Sequence, residues 1–377
     1  MAGPHGSRRR RLRWAVLVTC VVLAALLAVL PHPAITRPWV IPALQSLVPV
    51  LCAVAGVVAL LVLVFRQWWS AGVLAAGAVL GLLPTLVPLG ALGAGFGAGI
   101  ERGAEVGLEA GELTVLSLNA EYGGVDPAAL AAALGASGTG GAHGADEVGR
   151  ASGVDVLVLV EADEGLVTAL QEHGALDGLP YRTETIPDEP QGGKAGGAVI
   201  LSAHPLRSEG VLPRFATHRH FDQPVAVVEH PELGAVRVVG IHPVPPIGDD
   251  FVPSWDDTLR GLDRWQAAHS DLPLILAGDF NASHAHPQFR ALADGFTPAA
   301  AAAGPLPGPT WPVESWVPPF TAIDHVLLRG LAPRDYERLD FPGTDHRGIL
   351  TTVVGERVTE GSVGNQPGHP TGGPAAA

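Results

Sequence analysis

Polar side chains able to move a proton or hold a cation recur at the ends of apolar runs in this 377-residue chain. Asn119 closes Leu113–Leu118, Glu161 closes Val154–Val160, and His242 follows Val236–Ile241. Asp279 and Asn281 follow Leu274–Ala277. One such residue could simply cap a strand. Four buried strands ending this way predict a shared polar site, because strand ends in layered α/β folds converge on one rim. Two Asp-His pairs close the region, Asp324-His325 and Asp345-His346. A carboxylate beside an imidazole fixes its tautomer and stabilises its protonated form, as general acid–base chemistry requires. Neighbours on a strand point to opposite faces, so the useful partnership is Asp324 with His346 across strands.

The elements that must position these groups alternate. Leu113–Leu118, Val154–Val160, Gly197–Leu201, Val225–Val228, Val236–Ile241, Leu274–Ala277, Ala322–Leu328 and Ile349–Val354 read as strands. Several are apolar at nearly every position, as expected of sheets covered on both faces. Asp126–Leu134 and Trp255–Ala268 read as helices, the first with proline at its opening turn. Gly135–Gly149 reads as a flexible surface loop, and 356–377 as a disordered tail.

The N-terminal quarter has another solvent. Residues 1–100 hold no Asp or Glu and seven of the 23 Lys/Arg, which leaves 16 basic against 37 acidic residues in the remainder. Apolar runs at Trp14–Leu30, Ala43–Phe65 and Ala71–Leu92 each approach or exceed the roughly 20 residues that cross a bilayer core. Residues 1–92 therefore read as a multi-pass anchor of about three transmembrane helices, and the glycine-rich 93–112 as a linker. Five arginines between Arg8 and Arg13 favour a cytoplasmic start, with Arg66 in a second cytoplasmic turn and Arg37 a lone exception outside. Three crossings put the following domain, 113–355, on the extracytoplasmic side of the cell membrane. The only cysteines, Cys20 and Cys52, lie in the apolar runs, so that domain uses neither disulfides nor thiol chemistry.

The stretches Leu116-Ser-Leu-Asn119, Val158-Leu-Val-Glu161, Gly197-Gly-Ala-Val-Ile-Leu-Ser202, Gly240-Ile-His242, Gly278-Asp-Phe-Asn-Ala282, Ile323-Asp-His-Val326 and Thr344-Asp-His-Arg347 occur in this order. Together they resemble the endonuclease/exonuclease/phosphatase superfamily of DNase I-like enzymes. The resemblance implies a four-layer α/β sandwich and metal-dependent phosphoester hydrolysis by activated water, as a phosphodiesterase or a phosphatase. It implies that Glu161 holds a divalent metal, Mg²⁺ or alternatively Mn²⁺, with Asn119 and Asp345 nearby. Asp279 would then orient or deprotonate the attacking water. Asn281 and His242 would contact phosphoryl oxygens, and His346, aligned by Asp324, would bind or protonate one. Lys194 stands near where the family often places an Arg or Tyr on phosphate, and Thr344 stands where serine is usual. Asp163, after Glu161, reads either as a further metal group or as part of a solvated loop.

Other readings compete. His218 with His220, and His284 with His286, have strand spacing that suits either zinc or a surface rim. Trp311 and Trp316 read either as an apolar rim for substrate or as core. The domain could instead be a nuclease on the secreted face, or an inactive module that binds a phosphate ligand. Its acidity disfavours nucleic acid and favours a lipid headgroup or a small phosphoester. No G-x-S-x-G elbow or phosphate-binding P-loop is present, so serine hydrolase and NTPase chemistry lack support.

Overall fold

The structure is a computed structural model that describes residues 4–86, 111–135, 153–184, 197–216 and 220–355. Linker residues 93–110, loop residues 136–149, Lys194, His218 and the tail 356–377 lie outside the described residues.

Two mixed sheets face each other. The first runs β11-β13-β1-β2-β4-β3 with β12 also on β13, from β1 (Glu112–Asn119), β2 (Val156–Ala162), β3 (Tyr181–Arg182), β4 (Gly197–Ser202), β11 (Leu331–Pro333), β12 (Glu337–Asp340) and β13 (Arg347–Gly355). The second runs β5-β6-β7-β8-β10-β9, from β5 (Leu206–Val211), β6 (Pro224–His230), β7 (Gly234–Ile241), β8 (Leu274–Asp279), β9 (Thr297–Pro298) and β10 (Asp324–Arg329). Two pairs are parallel, β1 with β2 and β7 with β8.

The period-2 alternation of a strand explains the layers. Leu113, Val115, Val156 and Val158 meet Ala226, Val238, Ile275 and Ala277 between the sheets. Leu116, Leu118, Leu157 and Leu159 point outward to α5 (Pro127–Ala133) and α6 (Glu164–Glu172). Val239, Ile241, Leu274 and Leu276 point outward to α7 (Phe251–Ala268) and α8 (Pro287–Ala293). Both faces of each sheet are covered, which is why the strands are apolar throughout. The four-layer sandwich expected from sequence is the fold.

Several elements differ from expectation. The helix begins at Phe251, four residues before Trp255, because Pro253 in its first turn leaves no intrahelical bond unmade. Strand β5 was not expected, since most of its residues are exposed and offer no apolar pattern. Asp163 lies in the short connection between β2 and α6. It is the N-cap of α6, accepting the Leu166 N–H at 2.8 Å.

The N-terminal region holds α1 (Pro4–Val29), α2 (Val40–Ser46), α3 (Val48–Val64) and α4 (Trp68–Leu82). Arg10–Val29 and Trp68–Thr85 are long and apolar enough to cross a membrane. The second run is not one straight span. It breaks at Leu47, and α2 and α3 meet at 63°. Pro49 opens α3 where it can donate no backbone hydrogen bond, which allows the break. The buried Gln45 holds α2 in place, its Nε2 donating to the carbonyls of Leu30 and Pro33 at 3.0 and 2.9 Å. Gly81 lets α4 lie close on α1, since a Cβ there would sit 2.6 Å from the Leu27 carbonyl oxygen.

Candidate active site

Strand directions bring the polar residues to one rim. β1, β2, β7 and β8 end there, whereas β10 and β13, antiparallel to β8 and β1, begin there. Asp324 accordingly pairs in register with Asp279. Gly278 helps seat Asp279. With φ +147° it lies against the Ile241 carbonyl, where any side chain would collide with the neighbouring strand.

Asn119 ties the two sheets together at this rim. Its Nδ2 donates to Glu161 Oε1 at 3.0 Å and to Asp279 Oδ2 at 3.2 Å, and its Oδ1 accepts the Glu121 N–H at 2.9 Å. Asn119 is thus placed as a bridging donor between carboxylates. Glu161 also meets His242 Nε2 at 3.3 Å, and Phe221 stacks on the His242 ring at 4.6 Å. Burial alone would raise the Glu161 carboxyl. Hydrogen bonding and charge from His242, with Asn119 and His346, instead hold it down at about 2.

Asp279 behaves oppositely. Burial, reinforced by the charge of Asp324, pushes its carboxyl up to about 6, against the pull of His346, His242 and the Asn281 N–H. Two carboxylates on facing sheets, Glu161 on β2 and Asp279 on β8, thus have very different proton affinities, the separation that acid–base chemistry near neutrality uses. Asn281 stands beside Asp279 with φ +47°, its N–H donating to Asp279 Oδ1 at 2.7 Å and its Nδ2 to the Pro243 carbonyl at 3.0 Å.

The cross-strand pairing of Asp324 with His346 holds. His346 Nδ1 lies 3.0 Å from Asp324 Oδ2, and Nε2 lies 3.9 Å from Asp279 Oδ2 and 3.5 Å from Asp345 Oδ1. Burial opposes charge on this ring. Asp324, Asp279 and Asp345 together overcome it and push the imidazole up to about 10. Thr310 fixes the strand start by accepting the N–H groups of Ile323 and Asp324. Thr344 donates to the Asn119 carbonyl at 2.8 Å and accepts the His346 N–H at 3.1 Å, so threonine keeps every contact its hydroxyl makes.

The groups surround a cavity of about 600 Å³, with Glu161, His242, Asp279, Asn281 and His346 in its lining. Sequence reading missed Glu121 and Tyr122. Both have positive φ, and Tyr122 lines the cavity. Its hydroxyl is pushed up by Glu161, then by burial, Asp345 and Glu121, so three carboxylates concentrate negative charge around it. Trp311 belongs to the cavity rather than the core, its Nε1 donating to Asp345 Oδ2 at 2.8 Å, whereas Trp316 is fully exposed. The only signal for Glu121 and Tyr122 was their place directly after Asn119-Ala120.

The paired histidines do not form a zinc site among the described residues. His284 and His286 are buried, and His286 Nε2 faces the Pro42 carbonyl and the Ser46 hydroxyl at 3.0 and 3.3 Å. His220 instead pairs with Asp222 at 3.6 Å. Among the described residues, the one close set of ligand types is Asp279, Asp324 and His346, with one atom of each within 4.8 Å of the others.

Burial pushes His284 and His286 down to about 4 and His325 down to about 3. These groups are neutral when folded and take up protons on unfolding, so stability is present near pH 7 and is lost as pH falls from about 6.5 toward 4. The loss is on the order of 3 kcal/mol for each histidine. His284 Nε2 is buried without a hydrogen bond, so His284→Leu should leave the urea midpoint at pH 7.5 nearly unchanged. The variant should also lose less than the wild type at pH 4.5. Equal losses in the two proteins would contradict the assignment.

The sequence matches the model of the Endonuclease/Exonuclease/phosphatase family over residues 116–346, more than half of the chain. No curated protein matches it. Three of the solved structures to which the chain is similar show the range. One is an endonuclease/exonuclease/phosphatase from Beutenbergia cavernae, 21% identical, covering 65% of this chain and 72% of that chain at TM-score 0.48. Sphingomyelinase C from Streptomyces griseocarneus is 19% identical, covering 65% and 100% at TM-score 0.45. TDP2 from D. rerio, complexed with a single-strand DNA product, is 17% identical, covering 64% and 98% at TM-score 0.49. The family match spans every rim residue from Asn119 to His346, and on it the chain belongs to the endonuclease/exonuclease/phosphatase family.

Proposed function

We propose that the protein is a metal-dependent phosphoester hydrolase, held in the membrane by residues 1–92 and carrying its catalytic domain, 113–355, on the extracytoplasmic face. The observation that carries this reading is the rim cluster. There Asp279, titrating at about 6, lies 3.9 Å from a cationic His346 and is linked through Asn119 to an ionised Glu161.

In this reading Asp279 accepts a proton from the attacking water. The water oxygen forms the new P–O bond, the bond to the departing alcohol breaks, and one water is consumed. His346, held by Asp324, puts positive charge beside the phosphoryl oxygens, and His242 and Asn281 orient them. Glu161 with Asp345 would hold Mg²⁺ or Mn²⁺, and Asn119 fixes the Glu161 carboxylate. A bound cation supplies charge neutralisation at the phosphate. The donor set fits, because these are hard oxygens and Glu161 is ionised at neutral pH. The described cavity lining holds no Lys or Arg, so a bound cation would add to His346 in neutralising an anionic ester. Asp279, Asp324 and His346 form the close set of ligand types among the described residues, and the hold of Asp324 on His346 Nδ1 at 3.0 Å suits them to acid–base work.

The anchor supports the topology. Arg290 donates to the Pro31 carbonyl at 2.6 Å and the Trp39 N–H donates to Asp249 at 3.2 Å, so the end of α1 remote from its arginines lies against the catalytic domain. Arg66 falls in the turn between α3 and α4, as a cytoplasmic turn would have it.

The full-length protein should hydrolyse bis-p-nitrophenyl phosphate or p-nitrophenyl phosphate with Mg²⁺, lose turnover in EDTA and regain it on Mg²⁺ addition. Glu161→Gln should weaken Mg²⁺ binding in calorimetry by about 10- to 100-fold. Mg²⁺ binding without turnover of either ester would favour a phosphate-binding module instead.

A further inference from the structure

The catalytic cavity is not built by the catalytic domain alone. Ala43, Ser46 and Leu47 of the membrane anchor line it, and Glu161, Asp279 and His346 line the same cavity. The segment is docked on the domain, because the Pro42 carbonyl and Ser46 hydroxyl meet His286, and Trp39 meets Asp249. The break at Leu47 is what turns α2 away from the axis of α3, so that it serves as a wall rather than as the top of a span.

The rest of that wall is apolar. Ile247, Phe251 and Phe320 join Ala43 and Leu47, and Ile247 is 60% exposed despite its size. Trp39, directly before α2, is 40% exposed, and tryptophan favours the membrane–water interface. A polar phosphate site thus sits at one part of a cavity whose other wall is apolar and continuous with the membrane anchor. A track for a polyanion would need the reverse, a basic groove.

Resting on the hydrolase reading above, we infer that the substrate is a membrane lipid phosphoester, its phosphate at the Asp279–His346 rim and its apolar tail along the wall formed by α2 and Ile247. The anchor on this account is part of the substrate site, and it presents the domain to a lipid held in the same bilayer.

The test uses the full chain in lipid nanodiscs with two p-nitrophenyl phosphodiesters, one bearing a methyl and one an octyl group. The wild type should favour the octyl ester at least about tenfold in kcat/KM, since a buried alkyl tail adds binding per methylene. Ala43→Trp, which fills the wall, and Ile247→Asp, which charges an exposed side chain, should each cut that ratio to below about twofold. Both variants partition the esters into lipid as the wild type does, so a ratio that survives in both would overturn the inference. Calorimetric binding of octyl phosphate and methyl phosphate separates the two claims. Octyl preference in binding without turnover of either ester would sink the hydrolase reading and leave the tail wall standing. Equal turnover and equal binding of the two chain lengths would sink the tail wall and leave the hydrolase standing.

Discussion

Asp279→Ala should lower kcat for phosphoester hydrolysis by about 10³-fold, while the domain stays folded and loses no thermal stability. The reason lies in what the native carboxylate costs. Asp279 is 2% exposed, pairs in register with Asp324, and is pushed up to about 6 by burial and by that neighbour. Removing a buried charge repelled by another relieves the fold even as it removes the base, a trade of stability for function. The Asn119 Nδ2 and Asn281 N–H contacts to Asp279 and its attraction to His346 are lost and offset part of this relief, while Asn119 keeps its bond to Glu161 at 3.0 Å. Steady-state kinetics and a melting curve on the same preparation check both halves. A variant that loses activity only because it unfolds would leave Asp279 without a chemical role.

His346→Ala should cost about 10²- to 10³-fold in kcat, because a fixed positive charge beside the phosphate disappears. The imidazole is pushed up to about 10 by Asp324, Asp279 and Asp345 against burial, and Asp324 alone touches Nδ1. Asp324→Asn is the finer probe, since Asp324 holds His346 Nδ1 and also sets the charge beside Asp279. It should lower the imidazole pKa seen by NMR, with a smaller loss in kcat than His346→Ala. Asp279→Ala and His346→Ala combined should cost far less than the product of the two, because both serve one step. A fully multiplicative loss would mean that they act independently.

Much of this site was legible because its strands are buried on both faces. β2 and β8 are apolar up to their ends, so the first charged residue marks the rim at Glu161 and Asp279, while β1 reaches Asn119 past Thr114 and Ser117. The Asp324–His346 pair followed from strand parity. Glu121, Tyr122 and Trp311 were not legible in the same way. Tyr122 and Trp311 reach the cavity from irregular segments, Glu121 stands directly before Tyr122, and the tie of Trp311 to Asp345 spans 34 residues.

The N-terminal helical region shows the same limit. Gln45 and Ser46 interrupt its second apolar run before Leu47 too briefly to divide it, so hydropathy reads one span where the chain bends by 63°. Pro42 and Pro49 hint at the bend. What places α2 against the domain is a contact between Ser46 and His286, 240 residues apart, which no local pattern reports.

The central claim is that water, deprotonated at Asp279, attacks phosphorus. The most direct measurement is hydrolysis of bis-p-nitrophenyl phosphate by the full-length protein with Mg²⁺ in ¹⁸O-labelled water, followed by mass spectrometry of both products. The account predicts one ¹⁸O in the p-nitrophenyl phosphate and none in the p-nitrophenol, with the labelled product formed about 10³-fold more slowly by Asp279→Ala. Label in the phenol, or labelled phosphate formed equally well by Asp279→Ala, would contradict it.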